Sequence, residues 1–183
     1  TYSGYEWFSQ KKVSFISILV ILSVLLTGGI AILKLPPEWI AIKESLIPFV
    51  IGCIVFGSCI RKKPVIHFIL YSFLDESKIQ TLCQQSGQEK KLLDLEIITT
   101  YIMSGSFFLS SFLNFVLATI IVKSVPGTPQ FNQELGVLTA LSYPIIAVPS
   151  MLVLGSALWF MIHHLKKLTQ SSFTDLVKTD LID

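Results

Sequence analysis

"IITTYIMSGSFFLSSFLNFVLATIIV", residues 97–122, is 26 residues long and holds no charge. A helix rises about 1.5 Å per residue, so this run reaches roughly 39 Å and exceeds a hydrocarbon core of about 30 Å. Three further stretches read the same way. Residues 13–33 carry no charge, residues 137–162 carry none, and residues 37–60 carry charge only near their start. In the last of these the uncharged part, 45–60, is too short alone and needs the segment around Lys43 to complete a span. The chain of 183 residues is 52% hydrophobic and 14% charged, against about 25% charged in a soluble domain. The expected fold class is all-α: a polytopic membrane helical bundle with four transmembrane helices at about 13–33, 37–60, 97–122 and 137–162.

The rest of the chain follows from those spans. Pro36 and Pro37 cannot continue the first helix but can start the second. "RKKP" (61–64) ends it. "VIHFILYSFL" (65–74) is about half the length needed to cross, and is expected in the interface or packed beneath the bundle. In the polar part of the 61–96 loop, Ile79 and Leu82, then Leu92, Leu93 and Leu95, predict two short amphipathic helices broken at Ser86 and Gly87. The tail, 163–183, opens on "HHLKK"; Phe173, Leu176, Val177 and Leu181 fall at helical spacing behind a weak capping box of Ser172 and Asp175. "TYSGYEWF", ahead of Lys11 and Lys12, reads as a helix leaving the bilayer through its aromatic belt, so further spanning segments are expected before Thr1. The whole, 1–183, reads as one integral membrane domain.

Of the fourteen Lys and Arg residues, eleven fall in the N-terminal segment, the 61–96 loop and the tail; only Lys34, Lys43 and Lys123 fall at the other side. The positive-inside rule then places the loop and the C-terminus in the cytoplasm, in a multi-pass membrane protein. The two hairpins share a pattern. Each outer loop is rich in Pro and precedes a large aromatic and a polar–Glu pair, "EWIAIKE" in one and "QFNQE" in the other, and each returning helix ends in a basic cluster. Both run in the same direction, so a duplication would be parallel.

Few positions invite chemistry. Lys43 and Glu44 fall near the outer edge of the hydrocarbon. They read as an interface charge pair, with Lys43 extending along Trp39, as an ion or substrate contact at a cavity mouth, or as an oligomer contact. Ser106, Ser110, Asn114 and Ala118 recur every four residues as a small, polar ridge, which serves either as helix-packing glue or as the lining of a path. Gly28, Gly29, Thr27, Pro144 and Pro149 loosen their helices, in the manner of kinks or hinges. Arg61, Lys62 and Lys63 are candidates for binding anionic lipid. Cys53, Cys59 and Cys83 form no framework, and adjacent His163 and His164 diverge on a helix. No nucleophile elbow, zincin motif or P-loop occurs. No catalytic, cofactor-binding or metal residues are therefore expected, and no nucleic-acid partner.

"LTGGIAILKLPPEWIAIKESLIPFVIGCIVFGSCIRKKP", "SGSFFLSSFLNFVLA" and "PGTPQFNQELG…LSYPIIAVPSM" together resemble a family of proteobacterial multi-pass inner-membrane proteins of uncharacterised function. That family is in turn distantly similar to the intracellular septation protein A family of inner-membrane-spanning proteins. The second likeness rests on the Gly-Gly pair, Trp39, Lys43, the "KKP" exit, Leu113 with Asn114, and Phe131. The resemblance implies a role in envelope maintenance or division rather than a known reaction. The leading reading is a non-enzymatic protein that acts through contacts with membrane lipids, other inner-membrane proteins or its own copies. The alternative class is a small transporter or channel with a polar path through the bundle, for which Thr27, Lys43, Ser104 and Asn114 are candidates.

Overall fold

A computed structural model describes residues 36–178, together with Leu25, Gly28 and Gly29. Of the first predicted span only those three residues are described, all of them helical. The remainder of 13–33 with Thr27, the aromatic opening, Lys11, Lys12, Lys34 and residues 179–183 with Leu181 lie outside the described residues.

The described chain is helical: α1 (Glu38–Ile60), α2 (Val65–Phe73), α3 (Glu76–Gln85), α4 (Glu89–Ile121), α5 (Pro129–Ser142), a π-helical turn (Tyr143–Ala147), α6 (Val148–Thr169) and α7 (Phe173–Leu176). Among the described residues no strand forms, and Leu74 and Val177 make an isolated antiparallel bridge. Three helices are long and apolar enough to cross a membrane: α1, α4 and the continuous run Pro129–Thr169. The architecture is that of an all-helical membrane protein.

The long helices alternate in direction. Ser111 Oγ of α4 donates to the Ser45 carbonyl of α1 at 2.8 Å, and Cys59 Sγ of α1 lies 3.7 Å from the Ile97 carbonyl of α4. Rising numbers on one helix therefore meet falling numbers on the other. The same holds for α4 and α6, where Ser106 Oγ donates to the Ser150 carbonyl at 2.8 Å and Thr99 Oγ1 meets Met161 Sδ at 3.5 Å. Gly52 of α1 sits where a side chain would strike the ring of Phe108, so backbone and ring approach closely at that crossing.

Two buried clusters occupy opposite ends. Ile40, Ala41, Leu117, Ala118, Phe131, Leu138 and Ile146 form one. Ile66, Leu70, Leu74, Ile79, Cys83, Leu95, Met161, Leu165 and Leu176 belong to the other, at the end where α1 stops and α4 begins. The 65–74 segment thus packs beneath the bundle, with Ile66 and Leu74 buried and Phe68 and Phe73 exposed.

The structure differs from the sequence reading in three places. The 97–122 stretch lies inside a helix that starts at Glu89, so the second amphipathic piece of the loop is the first turns of α4 rather than a separate helix. Leu92 and Leu95 fall on the same buried stripe as Thr99 and Met103, and no Gly or Pro interrupts them. The 137–162 stretch likewise lies inside a longer helix, begun at Pro129 under the Thr128 cap, which accepts from the Phe131 amide at 3.2 Å. Its Pro144 and Pro149 do not divide it. The wider π turn accommodates them, with the Val148 amide reaching back to the Tyr143 carbonyl. Finally, the tail helix is one turn. Its capping box is formed, but Val177 leaves the helix to bridge Leu74, and the Asp75 amide donates to the Leu176 carbonyl at 2.9 Å.

Candidate functional site

At the end where α1 stops, a cavity of about 500 Å³ opens between the α1–α2 turn, α2, α3 and α4. Four local features build it. The turn of Arg61, Lys62 and Lys63 reverses the chain through a left-handed Lys62, φ 52°, and Pro64 then starts α2. Pro64 offers no side-chain cap, so the first amides of α2 take their partners from neighbouring helices. The Val65 amide donates to Ser58 Oγ at 3.2 Å and the Ile66 amide to Thr100 Oγ1 at 3.4 Å. Asp75 caps α3 by accepting from Ser77 Oγ at 2.6 Å and the Lys78 amide at 3.1 Å, and these two bonds hold its carboxyl below the usual range. Gly87, at φ +65°, makes the left-handed step from α3 into α4.

One ionisable cluster faces this cavity. Glu96 of α4 is 3% exposed. Tyr71 Oη donates to its Oε1 at 3.1 Å, and His67 Nδ1 lies 3.3 Å from each carboxylate oxygen. On its outer side His67 Nε2 lies 3.5 Å from Glu76 Oε1. The imidazole and phenol rings meet edge to face at 4.5 Å, which fixes both over the carboxylate. Burial first, and then the Glu96 carboxylate, push the Tyr71 phenol above its ordinary range, so it acts as a hydroxyl donor. Burial also raises the Cys83 thiol, with Glu89 and Glu96 adding to it; Cys83 is a packed apolar group rather than a nucleophile. Among the described residues no group of three or more His, Cys, Asp or Glu is placed to hold a metal ion.

The residues singled out from sequence separate in space. Arg61, Lys62 and Lys63 are exposed, and the two lysines line the rim of this cavity. Lys43 and Glu44 belong to the opposite end. Their side chains pair at 2.6 Å, and Lys43 is 8% exposed while Trp39 is half exposed. Lys43 therefore does not extend outward along Trp39, because it shares the protein-facing stripe of α1 with Ile40, Gly52, Val55 and Cys59. The polar ridge of α4 divides among partners. Ser106 bonds across to α6, whereas the half-buried Asn114 donates to the Ser110 carbonyl of its own helix at 2.8 Å. Ser111, beside the ridge, makes the bond to α1. The two glutamates also differ: Glu44 pairs with Lys43, while Glu134 accepts from the Lys123 and Ser124 amides and the Ser124 hydroxyl, tying the loop between α4 and α5 to α5.

Sequence reasoning took Glu96 as the end of a loop and did not single out His67 or Tyr71. A signal was present. Glu96 falls on the stripe of Leu92, Thr99 and Met103, and His67 and Tyr71 lie one turn apart within an apolar segment. What defines the class is now visible: an all-helical membrane protein with a largely apolar cavity at one end, into which a few ionisable side chains are set. No protein-family model, no curated protein and no solved structure matches the chain.

Proposed function

We propose that this chain is a non-enzymatic inner-membrane protein that supports the cell envelope, in maintenance or division, through contacts with lipids or with other inner-membrane proteins, its own copies included. One observation carries the reading: Arg61, Lys62 and Lys63 are all exposed at the foot of a membrane-length helix, and the two lysines line a cavity there. The resemblance to the septation proteins supplies the envelope part. In the arrangement we propose, 13–33 is a fourth span that forms a hairpin with α1, parallel to the hairpin of α4 and the 129–169 helix. The basic end, with the C-terminus, faces the cytoplasm, following the excess of Lys and Arg there. Basic residues near an anionic surface contribute about 1 kcal/mol each, so changing all three to Gln is expected to weaken retention of phosphatidylglycerol roughly a hundredfold. Native mass spectrometry of the detergent-purified protein reads this directly. Unchanged retention removes the lipid-contact reading.

A small transporter or channel is the second reading, favoured by buried ionisable groups at both ends of the bundle, Lys43 and Glu96. It is tested by single cysteines at Lys43, Ser104, Ser110 and Asn114 on a background lacking Cys53, Cys59 and Cys83, in liposomes. The contact-protein reading predicts that a water-soluble thiol reagent leaves Ser110 and Asn114 unlabelled. Labelling at both would put water in the middle of the bundle and move the transporter reading ahead.

A further inference from the structure

Among the described residues Glu96 has no fixed cation to neutralise it. Its partners are a phenol and an imidazole, and no Lys or Arg among the described residues lies within ion-pair distance. A buried carboxylate without such a partner is costly to maintain. It also keeps unused acceptor capacity. A carboxylate offers about four lone-pair directions, and here Tyr71 occupies one on Oε1 while His67 Nδ1 is shared between both oxygens. Glu96 lines the cavity, so a donor entering from that side can reach it. Tyr71 and Phe68 also line the cavity, and aromatic faces attract ammonium groups. Lys62 and Lys63 stand at the rim and supply positive charge for an anion. The cavity thus offers an anion-accepting rim and a cation-accepting interior, within the range of about 300–1,000 Å³ typical of small-molecule sites.

Its depth narrows the choice. Glu96 immediately precedes the charge-free run 97–122, and Lys62 and Lys63 immediately follow the last turn of α1. The cavity therefore lies where the polar surface gives way to the apolar span, at the level of lipid headgroups.

We propose that this cavity is a binding site for a phosphoethanolamine zwitterion, its ammonium group donating to Glu96 beside Tyr71 and its phosphate held by Lys62 and Lys63. The inference rests on the lipid-contact reading above and gives it a specific ligand. Phosphatidylcholine presents a similar charge pair, but its quaternary ammonium has no N–H to donate. Phosphatidylglycerol has the phosphate and no cation. The site therefore ranks phosphatidylethanolamine above both.

The test uses the full chain purified in detergent, exchanged into each of the three lipids at equal concentration, with bound lipid counted by native mass spectrometry. Phosphatidylethanolamine is expected to be retained about tenfold better than the other two, the scale of one charge-assisted hydrogen bond. Glu96→Gln is expected to remove that preference. Displacement by soluble phosphoethanolamine would show that the headgroup alone suffices; resistance to it would show that the acyl chains are needed and the lipid is the ligand. Equal retention of ethanolamine and choline lipids by the unaltered chain overturns the proposal, and that comparison needs no variant to fold. If the ethanolamine preference is absent while phosphatidylglycerol retention still depends on Arg61, Lys62 and Lys63, this inference fails and the broader lipid-contact reading stands. If neutralising those three residues changes nothing, the broader reading fails.

Discussion

Ile66→Ala is expected to cost about 2–5 kcal/mol of stability, the range for emptying a fully buried aliphatic site. Ile66 is 0% exposed and sits in the cluster that joins α2, α3, α4, α6 and the tail. Its amide is also one of the two tethers that position α2, through Thr100 Oγ1. A cavity at this point loosens the helix that carries His67 and Tyr71. The readout is double. The midpoint of thermal unfolding in detergent falls, and Cys83, buried at 0% exposure in the same cluster, becomes reactive toward a water-soluble thiol reagent. Phe68→Ala serves as the control, since Phe68 is 66% exposed and outside that cluster. If Ile66→Ala and Phe68→Ala behave alike, α2 is not held by the buried cluster.

The second large effect lies at the crossing of α1 and α4. A Cβ on Gly52 would fall 2.9 Å from Phe108 Cε1, 3.0 Å from Cδ1 and 3.3 Å from Phe107 Cβ. The Phe108 ring has little room to retreat, because its centroid is 5.8 Å from that of Phe49 and 6.5 Å from that of Phe56. Gly52→Leu is therefore expected to cost about 1–3 kcal/mol through overpacking, with Gly52→Ala at the lower end. Adding Phe108→Ala to Gly52→Leu is expected to recover part of the loss, since the truncated ring vacates space that the leucine fills. Thermal unfolding of the single and double variants in one detergent measures this coupling. Strictly additive losses would mean that the two residues do not meet, and the antiparallel pairing of α1 with α4 would lose its tightest contact.

The two sites illustrate different uses of polar groups inside an apolar bundle. At mid-span, Ser111 and Ser106 bond to the backbone carbonyls of neighbouring helices, so each satisfies one donor and draws two helices together. At the cavity, the polar side chains bond to one another rather than to backbone, and leave capacity for something else.

Some of this could be read directly from the order of residues. Charge-free runs of 26 residues and a proline-led helix start at Pro36 and Pro37 fix helical, membrane-length elements, because in hydrocarbon the backbone must bond to itself. The basic turn at Arg61, Lys62 and Lys63 marked where α1 leaves that environment. Tertiary structure alone decided the rest. Glu96 meets Tyr71 across 25 residues and His67 across 29, and Lys43 turns inward although it stands near the lipid boundary in sequence. Periodicity tells which residues share a face of a helix. Which second helix covers that face depends on packing between elements far apart in the chain, and here that packing turned a loop-edge glutamate into the floor of a cavity.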